Sequence, residues 1–206
     1  PAVEKLGAML IVDNAAYEYY NFNQATADAY VSTVNRAATI LDGKSKVYDM
    51  VIPTSMAITL PENFNGSTNS SDQKKAIDYM YSLMVPNISK VDVYNTLLSH
   101  KNEYIYFRTD HHWTQLGAYY GYSAFMNKEG GQAVNKDDYE TGKIQGVLGY
   151  LYDRVSSDVA TEPDTIEWYD IDYDKHIKTT MYATDEKGEM YSYNGVMYDR
   201  SKANYN

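Results

Sequence analysis

The sequence predicts an α/β chain built around a central, mostly parallel sheet. Three observations predict it. From residue 8 to residue 131, short apolar runs alternate with stretches of helical periodicity, the pattern of a parallel sheet covered on both faces. The 206 residues, 44% of them hydrophobic, suit one domain and suffice to bury roughly 70% of the unfolded surface. Beyond about residue 132 the alternation stops and acidic, tyrosine-rich segments take over. We therefore expect a single domain over 1–206, with 1–131 as the α/β core and 132–206 as a mixed, β-containing extension.

The elements follow in order. Ala8 to Val12 is an apolar run closed by Asp13-Asn14, a strand entering a turn. Tyr17 to Phe22 offers a second, pairing strand. Residues 24–42 place Ala27, Tyr30, Val31, Val34, Ala38 and Leu41 on one helical face, with Gly43 at the C-cap position. Lys46 to Ile52 reads as a buried strand ended by Pro53-Thr54-Ser55. Asn63 to Ser71 is a loop. Residues 72–84 form a helix with Ile77, Met80, Tyr81 and Met84 on one face and Ser71 as N-cap. Lys90 to Val93 is a third strand, Tyr94 to Lys101 a short helix, and Tyr104 to Phe107 a fourth strand. Thr114 caps a helix to about Asn127, closed by Gly130-Gly131. In the extension, Thr165 to Ile171 and Thr179 to Ala183 read as strands.

Composition narrows the function classes. Twenty-eight acidic against 18 basic side chains give a formal charge of -10, the wrong sign for a nucleic-acid binder or an anionic lipid surface. No apolar run approaches the ~20 residues that span a bilayer. Cysteine is absent, which removes disulfides, thiol catalysis and cysteine metal sites. Tyrosine is abundant, 23 residues, and its flat ring with a polar tip suits wet aromatic surfaces.

The densest polar cluster is Arg108-Thr109-Asp110-His111-His112-Trp113-Thr114, between a predicted strand and a predicted helix. On an extended backbone Asp110 and His112 share a side and His111 faces the other way. A carboxylate beside an imidazole fixes its tautomer and stabilises its protonated form, the orienter and base of a nucleophilic triad. Two other readings fit the same residues: Asp and His as caps of the following helix, or Asp110 and His112 as metal ligands completed by His100, His176 or a carboxylate. A second candidate follows the strand at 46–52. There Ser55 is a possible nucleophile, and Thr54 and Ser55 are possible donors to an oxyanion; the other reading is an ordinary turn, with Pro53 ending the strand and the hydroxyls bonding local backbone. No G-x-S-x-G, P-loop or G-x-G-x-x-G motif is present.

Residues 104–119, YIYFRTDHHWTQLGAY, resemble the signature of the bacterial DHHW protein family, which is similar to the alginate O-acetyltransferase-like branch of the SGNH hydrolases. Val51 to Ser55, Gln73 to Ile77 and Gly146 to Gly149 also resemble it. The resemblance implies an SGNH-like α/β/α sandwich. It implies Asp110 as the orienting acid and His112 as the base of a Ser-His-Asp triad, with Trp113 completing the motif, His111 in its variable position and Arg108 flanking it. We expect no cofactor and no metal. The resemblance further implies a polysaccharide O-acetyltransferase or acetylesterase that is extracytoplasmic and membrane-anchored, with an acetyl donor or a membrane-bound acyltransferase as partner. A glycan-binding module that keeps the D-x-H-W geometry without catalysis is the alternative.

In that branch the serine follows the D-x-H-W motif on a G-x-S or D-S turn, and no serine after Trp113 has such a context. The chain also opens at Pro1 and ends at Asn204-Tyr205-Asn206. The expectation is a fragment, without its N-terminal anchor and its serine segment, that is inactive alone.

Overall fold

The computed structural model describes residues 3–6, 9–64, 68–152, 162–170, 180–185 and 187–194. Strands β1 (Val3–Leu6), β2 (Met9–Val12) and β3 (Ala15–Glu18) form an antiparallel meander in the order β1-β2-β3. Asp13 and Asn14 turn the chain between β2 and β3 with φ of 49° and 66°, the left-handed pair of a tight two-residue hairpin, which these two residue types tolerate well. The expected second strand does pair with β2, but it starts at Ala15 and ends at Glu18. All four residues of β2 are buried. Leu10 and Val12 pack with Tyr17, Met56 and Leu60; Met9 and Ile11 pack with Ala16 and Leu151.

Helix α1 (Gln24–Leu41) is capped by Asn23, whose side chain accepts from the Thr26 amide. It leads to β4 (Val47–Asp49), the single-turn α2 (Ser55–Ile58), α3 (Gln73–Leu83), β5 (Ile88–Lys90) and α4 (Val93–Ser99). Ala27, Val31 and Ala38 of α1 meet Ile77 and Met80 of α3 and Ile88 of β5 in one core. β4 and β5 pair in parallel, Val47 opposite Ile88. This is the one parallel pair among the described residues.

Several expected boundaries move for local reasons. The strand at 46–52 stops at Asp49, because the Val51 amide donates to the Tyr81 hydroxyl (3.1 Å) and not to a neighbouring strand. The strand at 90–93 ends at Lys90, because Asp92 accepts from the Asn95 amide (3.1 Å) and caps α4. Asp72, not Ser71, caps α3; the Ser71 hydroxyl accepts from the Phe22 amide (3.0 Å) instead.

The fourth expected strand, 104–107, joins no sheet. Tyr106 makes one antiparallel bridge with Trp113, and the Phe107 amide donates to the His112 carbonyl (3.2 Å). The segment pairs with its own return leg, so residues 108–111 close a loop. Helix α5 (Gln115–Glu129) begins after Thr114, whose hydroxyl accepts from Gly117, and ends on Gly130 at φ 82°, an N-cap and C-cap as expected. Trp113 lies against α5 at Gly121, where an added Cβ would come within 2.7 Å of its ring. In the extension, β6 (Glu140–Val147) pairs antiparallel with β7 (Asp164–Asp170), and β8 (Thr180–Thr184) with β9 (Met190–Asn194). The expected strand ends Ile171 and Thr179 lie outside the described residues, and β6 and β9 were not among the expected strands.

Candidate active site

The loop between Phe107 and His112 is held from below by one buried carboxylate. Asp164, at the start of β7 and 1% exposed, accepts from the Arg108 amide (2.7 Å), from the Thr109 amide (2.8 Å) and from the Thr109 and Tyr104 hydroxyls. Backbone amides buried in a turn need such partners. Burial and the bond to Asp164 both push the Tyr104 phenol well above its ordinary range. Thr109 is fully buried. Its hydroxyl accepts from the Gly149 amide (2.7 Å) and its carbonyl from the Leu151 amide (2.9 Å). Leu151 is anchored in the core beside Met9 and Ile11, and the Arg108 carbonyl accepts from Ala16 of β3 (2.8 Å). The motif loop is thus tied to the meander, to the 147–151 loop and to β7.

On this support Asp110 meets His112. Asp110 Oδ1 lies 2.6 Å from His112 Nδ1 and accepts from the His112 backbone amide at 2.9 Å. Its Oδ2 accepts from the Tyr150 amide (3.2 Å). The second contact makes an Asx turn, which bends the chain. The Asp110 side chain is 21% exposed and that of His112 68%. With Nδ1–H donated to the carboxylate, Nε2 keeps its lone pair and the ring faces solvent.

That bend corrects one expectation. His111 does not face away: its ring centroid lies 4.1 Å from that of His112 and 5.8 Å from that of Tyr150. The extended-backbone assumption fails because the chain reverses between Phe107 and His112. Ligand atoms of Asp110, His111 and His112 all lie within 4.8 Å of one another. The helix-cap reading also fails, because Thr114 caps α5.

The side chains of the other expected site residues are engaged elsewhere. Arg108 places its guanidinium 4.7 Å from the Tyr104 ring centre and its Nε 3.6 Å from Glu162. Trp113 packs against the buried cluster of Ile58, Val93, Leu97, Ile105 and Tyr106. Thr54 is engaged by Gln73, its amide donating to Oε1 (2.9 Å) and its hydroxyl accepting from Nε2 (2.7 Å). Ser55 is buried at the start of α2. Among the described residues no hydrogen bond joins Thr54 or Ser55 to Asp110 or His112. The Pro53 carbonyl accepts from Tyr106 (2.5 Å), so this turn is fastened to the strand-like segment that precedes the motif loop.

His100, a candidate third metal ligand, is stacked on Tyr120 and lies 2.6 Å from Glu103; His176 lies outside the described residues. Sequence reasoning missed Asp164, Gly149 and Tyr150. Gly149 had appeared only as the end of the G-V-L-G match. Its signal is steric: a Cβ there would come within 2.5 Å of Asp110 Cβ and 2.6 Å of the Thr109 carbonyl oxygen.

By structure, the chain is similar to a DHHW family protein from Eubacterium siraeum DSM 15702, with TM-score 0.75 and 28% identity over 97% of this chain and 67% of that one. It is similar in fold to Bacillus cereus PatB1 (TM-score 0.61, 17% identity, 93% and 65% covered). It is also similar in fold to the O-acetyltransferase domain of Pseudomonas putida AlgJ (0.51, 16%, 82% and 65%). It spans about two thirds of the length of these structures. By sequence, no curated protein matches it. The family model described as DHHW protein matches residues 2–206, and the chain belongs to the DHHW family.

Proposed function

We propose that this chain carries the acid and base of a polysaccharide O-acetyltransferase, with acetyl-ester hydrolysis as the variant in which water is the acceptor. The observation that carries the reading is the 2.6 Å contact of Asp110 with His112 Nδ1 beneath a solvent-facing ring. The fold likeness to the AlgJ O-acetyltransferase domain supports it, as does a PatB1 structure with a sulfonyl adduct (TM-score 0.69, 17% identity). We read β4–β5 as the described part of a central parallel sheet in an SGNH-like sandwich.

His112 Nε2 takes the proton of a serine hydroxyl as its oxygen attacks an acetyl carbonyl. Asp110 holds the ring in the required tautomer and stabilises the imidazolium. His112 returns that proton to the donor oxygen as the donor's ester bond breaks and its alcohol leaves; a sugar hydroxyl then attacks the acetyl-serine, His112 takes its proton, and the serine leaves with that proton on its oxygen. General-base assistance of this kind contributes ~10²–10⁴-fold. No described hydroxyl bonds His112, so the reading takes the serine from outside the described residues. Tyr150, 52% exposed beside His111, offers a ring face for a sugar. An extracytoplasmic, membrane-anchored setting and an acetyl donor or acyltransferase partner follow from this reading as proposals.

The Asp110–His112 geometry also fits a second reading, a glycan-binding module that keeps it without catalysis. The two separate on one experiment. The whole gene product is incubated with p-nitrophenyl acetate and its intact mass and peptide map are recorded. One serine gains one acetyl group, and His112→Ala abolishes the gain in a folded protein. A folded protein that never acylates overturns the enzyme reading in favour of the module.

A further inference from the structure

We infer that Asp110, His111 and His112 form a binding site for a zinc-class divalent ion, and that the ion competes with His112 as a base. The second half rests on the proposed function; the first does not. Two observations carry the site. Ligand atoms from the three residues lie within 4.8 Å of one another, so side-chain rotations of about 1 Å bring them to the roughly 3.3–3.6 Å spacing of three corners of a tetrahedral shell. Independently, His111 Nδ1 is buried without a hydrogen-bond partner. A buried ring nitrogen normally has one, and an orphan of this kind calls for an occupant.

The donor set selects the ion. Two imidazoles and one carboxylate suit Zn²⁺ and similar borderline ions; Mg²⁺ and Ca²⁺ need shells of oxygen. The exposed face of His112 leaves room for water to complete the shell. His111 and His112 are brought together by the reversal at 107–112, and Asp110 is held for both by the Tyr150 amide.

The competition follows from proton accounting. In the neutral ring one nitrogen holds the proton and the other the lone pair. Zn²⁺ bound to Nε2 occupies the lone pair that would accept the serine proton. Bound to Nδ1, it displaces that proton to Nε2, and the lone pair is again lost. Either way no net proton is released from His112 and the ring ceases to be a base.

Calorimetric titration of the metal-stripped whole gene product with ZnCl₂ tests the site. We expect one ion per chain, no comparable heat from MgCl₂, and at least about a tenfold loss of affinity in His111→Phe. That variant keeps a ring against His112 and removes the nitrogen; His111→Gln serves if it misfolds. His100→Ala, outside the cluster, leaves the affinity unchanged. Absence of stoichiometric binding, or binding that survives loss of the His111 nitrogen, overturns the site. Where the metal-free protein turns over p-nitrophenyl acetate, zinc slows it in proportion to occupancy, and undiminished turnover at full occupancy overturns the competition. A metal-free protein with no turnover counts against the acyl-transfer reading while the calorimetry still decides the site.

Discussion

Asp164 Oδ2 accepts the Thr109 backbone amide at 2.8 Å, and this contact joins β7 to the loop that presents Asp110. Fifty-five residues separate the two in sequence. The same carboxylate holds the Arg108 amide and the hydroxyls of Thr109 and Tyr104, so it fixes the base of the motif loop from one buried point.

Asp164→Ala leaves two backbone amides and two hydroxyls without their acceptor. We expect a loss of about 3 kcal/mol or more in urea denaturation. Asp164→Asn keeps one acceptor oxygen and recovers part of it. An Asp164→Ala protein as stable as the parent refutes this account of the loop.

Gly149→Ala forces a Cβ into Asp110 and the Thr109 carbonyl. Overpacking of this kind costs about 1–3 kcal/mol. Because the clash bears on Asp110 itself, acylation falls further than stability accounts for. Parallel measurement of melting temperature and acylation rate separates the two; equal, small effects on both count against a positioning role.

Asp110→Asn keeps the shape of the side chain and removes its charge. The ring of His112 then loses the partner that selects its tautomer, and acylation falls ~10⁴-fold by analogy with other triads. Burst kinetics with p-nitrophenyl acetate measure it. Retained acylation in this variant overturns the assignment of Asp110 as the orienting acid.

Buried tyrosines predict alkaline instability. Burial pushes the Tyr81 phenol up to about 12; the Val51 amide bond opposes this, and nearby Asp49 adds to it. Burial raises Tyr106 as well. Unfolded tyrosines ionise near pH 10, so above that point the folded state binds more protons and stability falls as pH rises. This contribution is complete below about pH 10 and is lost as pH climbs toward the folded values. Denaturation midpoints across pH 8–12 should show it. Tyr81→Phe flattens the slope and lowers stability at neutral pH by about 1 kcal/mol, since the Val51 amide loses its acceptor. An unchanged slope in that variant overturns the assignment.

The sequence by itself determined what depends on near neighbours. The Thr114 cap and Gly130 terminus of α5, the buried Ala27, Val31 and Ala38 of α1 and the Asp13-Asn14 turn are settled by residues a few positions apart, and each was legible, whereas Tyr30 and Leu41, expected on the same face of α1, are exposed. So was the pairing of Asp110 with His112, because two residues in a short loop cannot go far from one another. Tertiary structure decided everything that needed a distant partner. The 104–107 run has the composition of a strand, yet its hydrogen bonds go to its own return leg at 112–114, and that reversal turned His111 toward His112. Ser71 has the chemistry of a cap but was recruited by the 20–22 segment. Asp164 and Gly149 carry no motif of their own; their importance comes from which backbone they touch. A side chain's type is local information, but its hydrogen-bond partner is set by how the whole chain satisfies its buried polar groups.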